Sequence, residues 1–120
     1  MKTLPVLREK KRYIAFKIIS EITINRRELT DELFDSMYSM FGDKGISEIN
    51  PSLMSYDGGF GVLRCSKDRT SDTRAALACI NMVRGGYVSI KVLGISGTVK
   101  GAMEKFIQQS IIKESEPEKD

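Results

Sequence analysis

Histidine is absent from the 120 residues. Its absence removes the commonest general base, the Ser/His and Cys/His nucleophile pairs, and most zinc and haem ligation. Catalysis by side chains is therefore not expected. Cysteine is scarce: Cys65 and Cys79 stand fourteen positions apart with no CxxC spacing. They read as two reduced, buried thiols of an intracellular protein. No apolar run approaches the ~20 residues that a membrane span needs, and Met1 to Arg12 has no signal-peptide core. A soluble, cytoplasmic chain is the expectation.

What is present suits one domain: 41% apolar residues, 19 basic and 16 acidic side chains, net charge +3. A chain of this length buries roughly two-thirds of the surface its unfolded form exposes, enough for a core without disulfide or metal staples. The charge is uneven. Lys2, Arg8, Lys10, Lys11 and Arg12 face a single carboxylate, Glu9, in residues 1–12, whereas residues 113–120 carry Glu114, Glu116, Glu118 and Asp120 with Pro117 and no apolar residue. The first segment suggests an edge facing a polyanion; the second reads as a disordered acidic tail. The expected division is one domain over residues 1–112, with the basic segment 1–12 at its start, and the tail at 113–120.

Hydrophobic periodicity supplies the elements. Arg12 to Ser20 alternates as a strand, with Ile14, Phe16 and Ile18 toward a core and Tyr13, Ala15, Lys17 and Ile19 away from it. Asn25 and Glu28 form a capping-box pattern, and Leu29, Leu33, Met37, Met40 and Phe41 recur at helical spacing until Gly42, before a polar loop over residues 43–51. Leu53 to Tyr56 and Phe60 to Ser66 flank Asp57-Gly58-Gly59 as a hairpin. Ser71 and Asp72 can cap a second helix bearing Ala76, Leu77, Ile80 and Val83, which ends at Gly85-Gly86. Tyr87 to Leu93 is the last strand, with Val88, Ile90 and Val92 inward. After a turn over residues 94–97, Thr98 can cap a closing helix with Val99, Met103, Phe106, Ile107 and Ile111.

This order predicts an α+β fold: a ferredoxin-like or RRM-like βαββαβ sandwich with a four-stranded antiparallel sheet and an additional C-terminal helix. Both crossover helices lie on one side, so the opposite sheet face, with Tyr13, Ala15, Lys17, Ile19, Phe60, Val62, Arg64, Ser89, Lys91 and Leu93, needs a cover. The chain's own last helix, another protein or RNA would serve. Lys17, Arg64 and Lys91 could align as a cationic stripe. Ser96-Gly97-Thr98-Val99-Lys100 places N–H groups and a cation where a phosphate oxygen could sit, although the spacing is not that of a Walker A loop. Gly59-Phe60-Gly61 matches only part of an RRM octamer, since Gly58 stands where a basic residue belongs and Val62 and Cys65 replace aromatics. Asp31, Glu32 and Asp35 read as the solvated side of a helix rather than a metal site.

Lys2-Thr3-Leu4-Pro5, Leu7-Arg8, Lys10 to Lys17, Val62 to Cys65, Arg74 with Ala76-Leu77, and Leu93 to Lys100 together resemble the component 2 family of archaeal ribonuclease P, related to a small subunit of eukaryotic ribonuclease P and MRP. The resemblance runs over most of residues 2–106. Val99 stands where similar proteins often have isoleucine, and the Met-rich first helix and acidic tail are particular to this chain. The resemblance implies a noncatalytic subunit of the ribonucleoprotein endonuclease that removes 5′ leaders from precursor tRNA. The RNA would be the catalyst and would hold the required Mg²⁺, with no cofactor on this chain. Implied partners are the ribonuclease P RNA, the component 3 protein, a second copy of the chain in a heterotetramer of two component 2 and two component 3 chains, other ribonuclease P proteins and precursor tRNA. On this reading Lys10, Lys11, Arg12, Lys17, Arg64, Lys91 and Lys100 contact RNA, and Phe60, Val62, Leu93, Phe106 and Ile107 are protein-interface candidates. Two other readings are an independent RRM-type single-stranded RNA binder and an ACT-type metabolite-binding domain. The latter is disfavoured by the lack of glycine in Ser20 to Ile24.

Overall fold

The computed structural model describes residues 10–57 and 59–115, with no account of the side chains of residues 114 and 115. The expectations for residues 1–9, Gly58 and residues 116–120 lie outside the described residues. Strand β1 (Lys11–Ser20) leads to α1 (Arg26–Ile49), β2 (Ser52–Asp57), β3 (Phe60–Ser66), α2 (Thr70–Ala78), β4 (Met82–Val83) and β5 (Gly86–Ser96). After β5, α3 (Val99–Ala102), a π-helical turn (Met103–Ile107) and α4 (Gln108–Ser115) follow one another as a single terminal helix. All sheet pairings are antiparallel and the strand order is β2-β3-β1-β5-β4.

The α+β expectation holds, and the four long strands lie in the order that a βαββαβ connection produces, but the sheet has five strands rather than four. The fifth comes from Met82-Val83, which the helical reading of Ala76 to Val83 had absorbed. Val83 pairs with Gly86 across the two-residue loop Arg84-Gly85, where both residues have positive φ, 49° and 80°. Positive φ at both positions matches the right-handed twist of the flanking strands, so this tight hairpin displaces the last helical turn. Arg84 accepts the strained conformation because its guanidinium is anchored, donating to the Thr23 carbonyl at 2.8 Å and to the Glu28 carboxylate.

Helix α1 begins as its sequence predicts. The Glu28 N–H donates to Asn25 Oδ1 at 2.9 Å and the Asn25 N–H to Glu28 Oε1 at 3.2 Å, so two otherwise orphaned donors are satisfied. Leu29, Leu33 and Met37 are buried on the sheet side. Gly42 interrupts the helix at φ 70°, but residues 43–49, expected as loop, resume helical conformation because Ile46 and Ile49 find places against the core. At α2, Ser71 and Asp72 do not cap: the helix begins at Thr70 with Arg69 as its N-cap residue, and Arg69 donates to Asp72 at 2.6 Å. Strand β5 runs to Ser96, past the expected turn at Gly94. The terminal helix continues through Ser115, beyond the boundary expected at residue 112.

The main core lies between the sheet and α1/α2, built from Ile14, Phe16, Ile18, Leu29, Leu33, Met37, Leu63, Leu77 and Val88. Cys65 is buried in it, and burial pushes its thiol pKa up against a Thr73 hydrogen bond and the Lys11 charge. Cys79 is exposed, correcting the expectation of two buried thiols, because α2 ends at Ala78 and leaves it at the surface. Among the described residues no helix is long and apolar enough to cross a membrane.

Glu28 joins the α1 cap to the β4–β5 hairpin, and a pH prediction follows. The hydrogen bond from the Asn25 backbone, then that from Arg84, holds its carboxyl below the ordinary value of 4.5. A depressed folded-state pKa adds stability above the unfolded pKa, and that stability is lost as pH falls through the folded one. Glu28→Gln is therefore expected to melt below the parent at neutral pH, with the gap closing in acid below about pH 4.5. A gap independent of pH would show that the charge contributes nothing.

Candidate nucleic-acid interface

The sheet face opposite α1 and α2 carries three rows of side chains, fixed by register. Arg64, Tyr13 and Ser96 are cross-strand neighbours at one end; Val62, Ala15 and Gly94 follow; Phe60, Lys17 and Lys91 form the third row. Between the second and third rows the pairing of β1 with β5 slips by one residue, leaving Leu93 extra. The bulge turns Leu93 and Gly94 to the same side.

The terminal helix lies over the middle row. Its start is capped as the sequence predicts, with Thr98 Oγ1 accepting from the Gly101 N–H at 2.9 Å. Ala102 and Ile107 are buried against Ala15 and Val62, with Tyr13, Phe60, Leu93, Met103 and Phe106 around them. The Phe106 ring sits over Gly94 so closely that a Cβ there would lie 2.3 Å from it. Gly94 is thus a seat for an aromatic ring. Of the three covers weighed for this face, the chain supplies one itself.

This cover redistributes the sequence-chosen residues. Lys17 and Lys91 are direct cross-strand partners, and the Lys17 ammonium lies 5.9 Å from the centroid of the Phe60 ring, a cation–π distance. Arg64 stands four residues from Phe60 along β3, about 13 Å away at strand rise, on the far side of the buried row. The expected Lys17–Arg64–Lys91 stripe is therefore split into two cationic ends. Lys10, Lys11 and Arg12 belong to the Arg64 end: Lys11 pairs with Ser66 and Arg12 with Cys65, and the Lys10 carbonyl accepts from the Lys67 N–H at 2.9 Å. Lys10 is exposed, and Arg12 donates to the Lys11 carbonyl at 2.8 Å. Arg64 Nε is buried with no hydrogen-bond partner. Lys100 stands on the first turn of the terminal helix, exposed and 4.0 Å from Glu104, next to Gly101, which abuts the Ser96 side chain of the Arg64 end.

The five interface candidates Phe60, Val62, Leu93, Phe106 and Ile107 gather in one cluster, in which Val62 and Ile107 are buried and Phe60, Leu93 and Phe106 half-buried. Val62 and Ile107 are fully covered, at 0% and 3% exposure, so neither offers surface while the helix stays in place. The open apolar groups are others. Tyr87 and Met82 are cross-strand partners and Ile19 lies nearby on β1, all three exposed, while Phe34, Tyr38 and Met40 are exposed on α1. The outward alternation of Ile19 and Tyr87 was a usable sequence signal; Met82 carried none, being read as helix. Lys67, Lys105 and Lys113 are cations that sequence reasoning also passed over. Lys105 and Lys113 share a groove with Lys91 between β5 and the terminal helix.

Residues 12–107 match the model of the Rpp14/Pop5 family. The chain is 42% identical over 113 residues to the ribonuclease P protein component 2 of Methanosarcina acetivorans, covering 94% of this chain and 86% of that protein. It is 38% identical over 111 residues to the component 2 protein of Pyrococcus furiosus, covering 90% and 92%. A chain in the cryo-EM structure of yeast ribonuclease MRP superposes with a TM-score of 0.61 over 95% of both chains at 12% identity, a likeness of fold.

Proposed function

This chain belongs to the Rpp14/Pop5 family and is a protein subunit of ribonuclease P, and we propose that within that RNA–protein endonuclease it serves as a noncatalytic scaffold. The observation that carries the reading is the division of the sheet face into two cationic ends. Cations held at fixed positions on a rigid sheet neutralise closely packed phosphates without reading sequence. On this account the RNA breaks the bond and holds the Mg²⁺ it needs, and the cleavage removes the 5′ leader of precursor tRNA. The complex works in the cytoplasm, with no cofactor on this chain.

Component 3 and a second copy of the chain are the protein partners in this account, along with the other ribonuclease P proteins. The exposed Ile19, Met82 and Tyr87 patch, or the Phe34, Tyr38 and Met40 face, suits such contacts better than the buried Val62 and Ile107. An independent RRM-type binder is not favoured, because the terminal helix lies over the row where bases would stack and Phe60 packs beneath it. An ACT-type metabolite domain is not favoured, because the relatives described above carry ribonuclease P names.

Salt dependence tests the phosphate contacts. Each neutralised phosphate adds about 0.7 to 0.9 to the slope of log affinity against log salt. Lys10, Lys11 and Arg12 changed together to Ala should flatten the slope of binding to ribonuclease P RNA by about 2 to 3, with the circular dichroism spectrum unchanged. An unaltered slope would remove this end of the sheet from the RNA contact.

A further inference from the structure

We propose that the groove between β5 and the terminal helix binds the backbone of a single-stranded RNA segment, with Lys91, Lys105 and Lys113 as its phosphate contacts. The proposal rests on the reading of the chain as an RNA-binding subunit and adds to it a site that the sequence did not disclose. The groove encloses about 480 Å³, with Lys91 and Leu93 on the strand side and Lys105, Phe106, Gln109 and Lys113 on the helix side. Among the described residues no carboxylate lines it. Ammonium groups gathered around one cleft repel each other, and an anion between them turns that repulsion into attraction.

Spacing favours an extended anion over a compact one. Lys105, Gln109 and Lys113 recur every fourth residue and so form one stripe along the helix, about 12 Å from first to last at helical rise. Two or three successive phosphates fit that length, with the Gln109 amide able to donate between the lysines. Lys91 faces the stripe from β5, and its cross-strand partner Lys17 continues the positive path onto the sheet. Leu93 and Phe106 give the groove an apolar wall, the surface that ribose and base edges prefer once unstacked. The site lies beside the covered row of the sheet and differs from an RRM platform: the helix that closes the platform builds the groove.

The test measures binding of the full-length chain to a fluorescein-labelled oligouridine and to an RNA duplex of the same length over a KCl series. Lys105→Ala with Lys113→Ala should weaken oligouridine binding and lower its salt slope by about 1.4, two contacts at about 0.7 each on a single strand. Lys105→Arg with Lys113→Arg should keep the slope. Both lysines are exposed, so circular dichroism should show an intact fold in each variant. If the alanine pair leaves the slope unchanged while the Lys10, Lys11 and Arg12 triple lowers it, the groove is wrong and the RNA-binding reading survives. Loss of component 3 binding with no change toward RNA would make the groove a protein contact, and preference for duplex would also overturn the proposal. If the parent chain binds neither oligouridine nor ribonuclease P RNA, the underlying reading fails.

Discussion

Gly94→Ala is expected to lower unfolding free energy by about 3 kcal/mol, the upper end of what overpacking costs, by lifting the terminal helix from the sheet. The added methyl would sit 2.3 to 2.5 Å from three atoms of the Phe106 ring. Strand β5 is held by β1 along its length, so the backbone at position 94 has little freedom to retreat. The ring must leave instead, taking Ala102 and Ile107 off Ala15 and Val62. In a Phe106→Ala background the obstacle is gone, and the same substitution should cost less by about 1 to 2 kcal/mol, a coupling typical of residues in contact. Urea denaturation of the parent, both single variants and the double variant measures that coupling. Strict additivity would mean that the helix is not seated on Gly94.

The same contact shows why the fold was only partly legible. Alternation along β1 and the capping box at Asn25 are local signals, and the strand and the start of the helix formed as read. The failures occurred where tertiary context outweighed local pattern. Ala76 to Val83 has helical periodicity, but Arg84 reaches Glu28 and Thr23 and draws Met82-Val83 into a hairpin instead. Gly94 resembled a turn residue by type alone; its use as a seat for Phe106 depends on a residue twelve positions later. Residues 43–49 were too polar to read as helix, yet Ile46 and Ile49 are enough to hold them against the core.

For the candidate interface, the sequence located the cations but not their grouping. Register places Lys17 beside Lys91, and the terminal helix separates that pair from Arg64. Two of the apolar choices, Val62 and Ile107, are covered for a related reason. Phe60, Val62, Leu93, Phe106 and Ile107 are greasy residues on two surfaces that face one another, and a sequence does not show that two such surfaces belong to the same molecule. The groove lysines Lys105 and Lys113 were invisible until the helix that carries them was placed alongside Lys91.

The scaffold account predicts most for the assembled complex. Folded RNA concentrates phosphate charge, and a protein that neutralises part of it replaces cations that solution must otherwise supply. The direct measurement is precursor-tRNA cleavage reconstituted from ribonuclease P RNA and its proteins, with and without this chain, over a series of Mg²⁺ concentrations. Omission should slow cleavage at low Mg²⁺ and shift the half-maximal Mg²⁺ concentration upward several-fold, with high Mg²⁺ restoring part of the rate. An unchanged rate and Mg²⁺ requirement, or cleavage by the purified polypeptide without RNA, would contradict it.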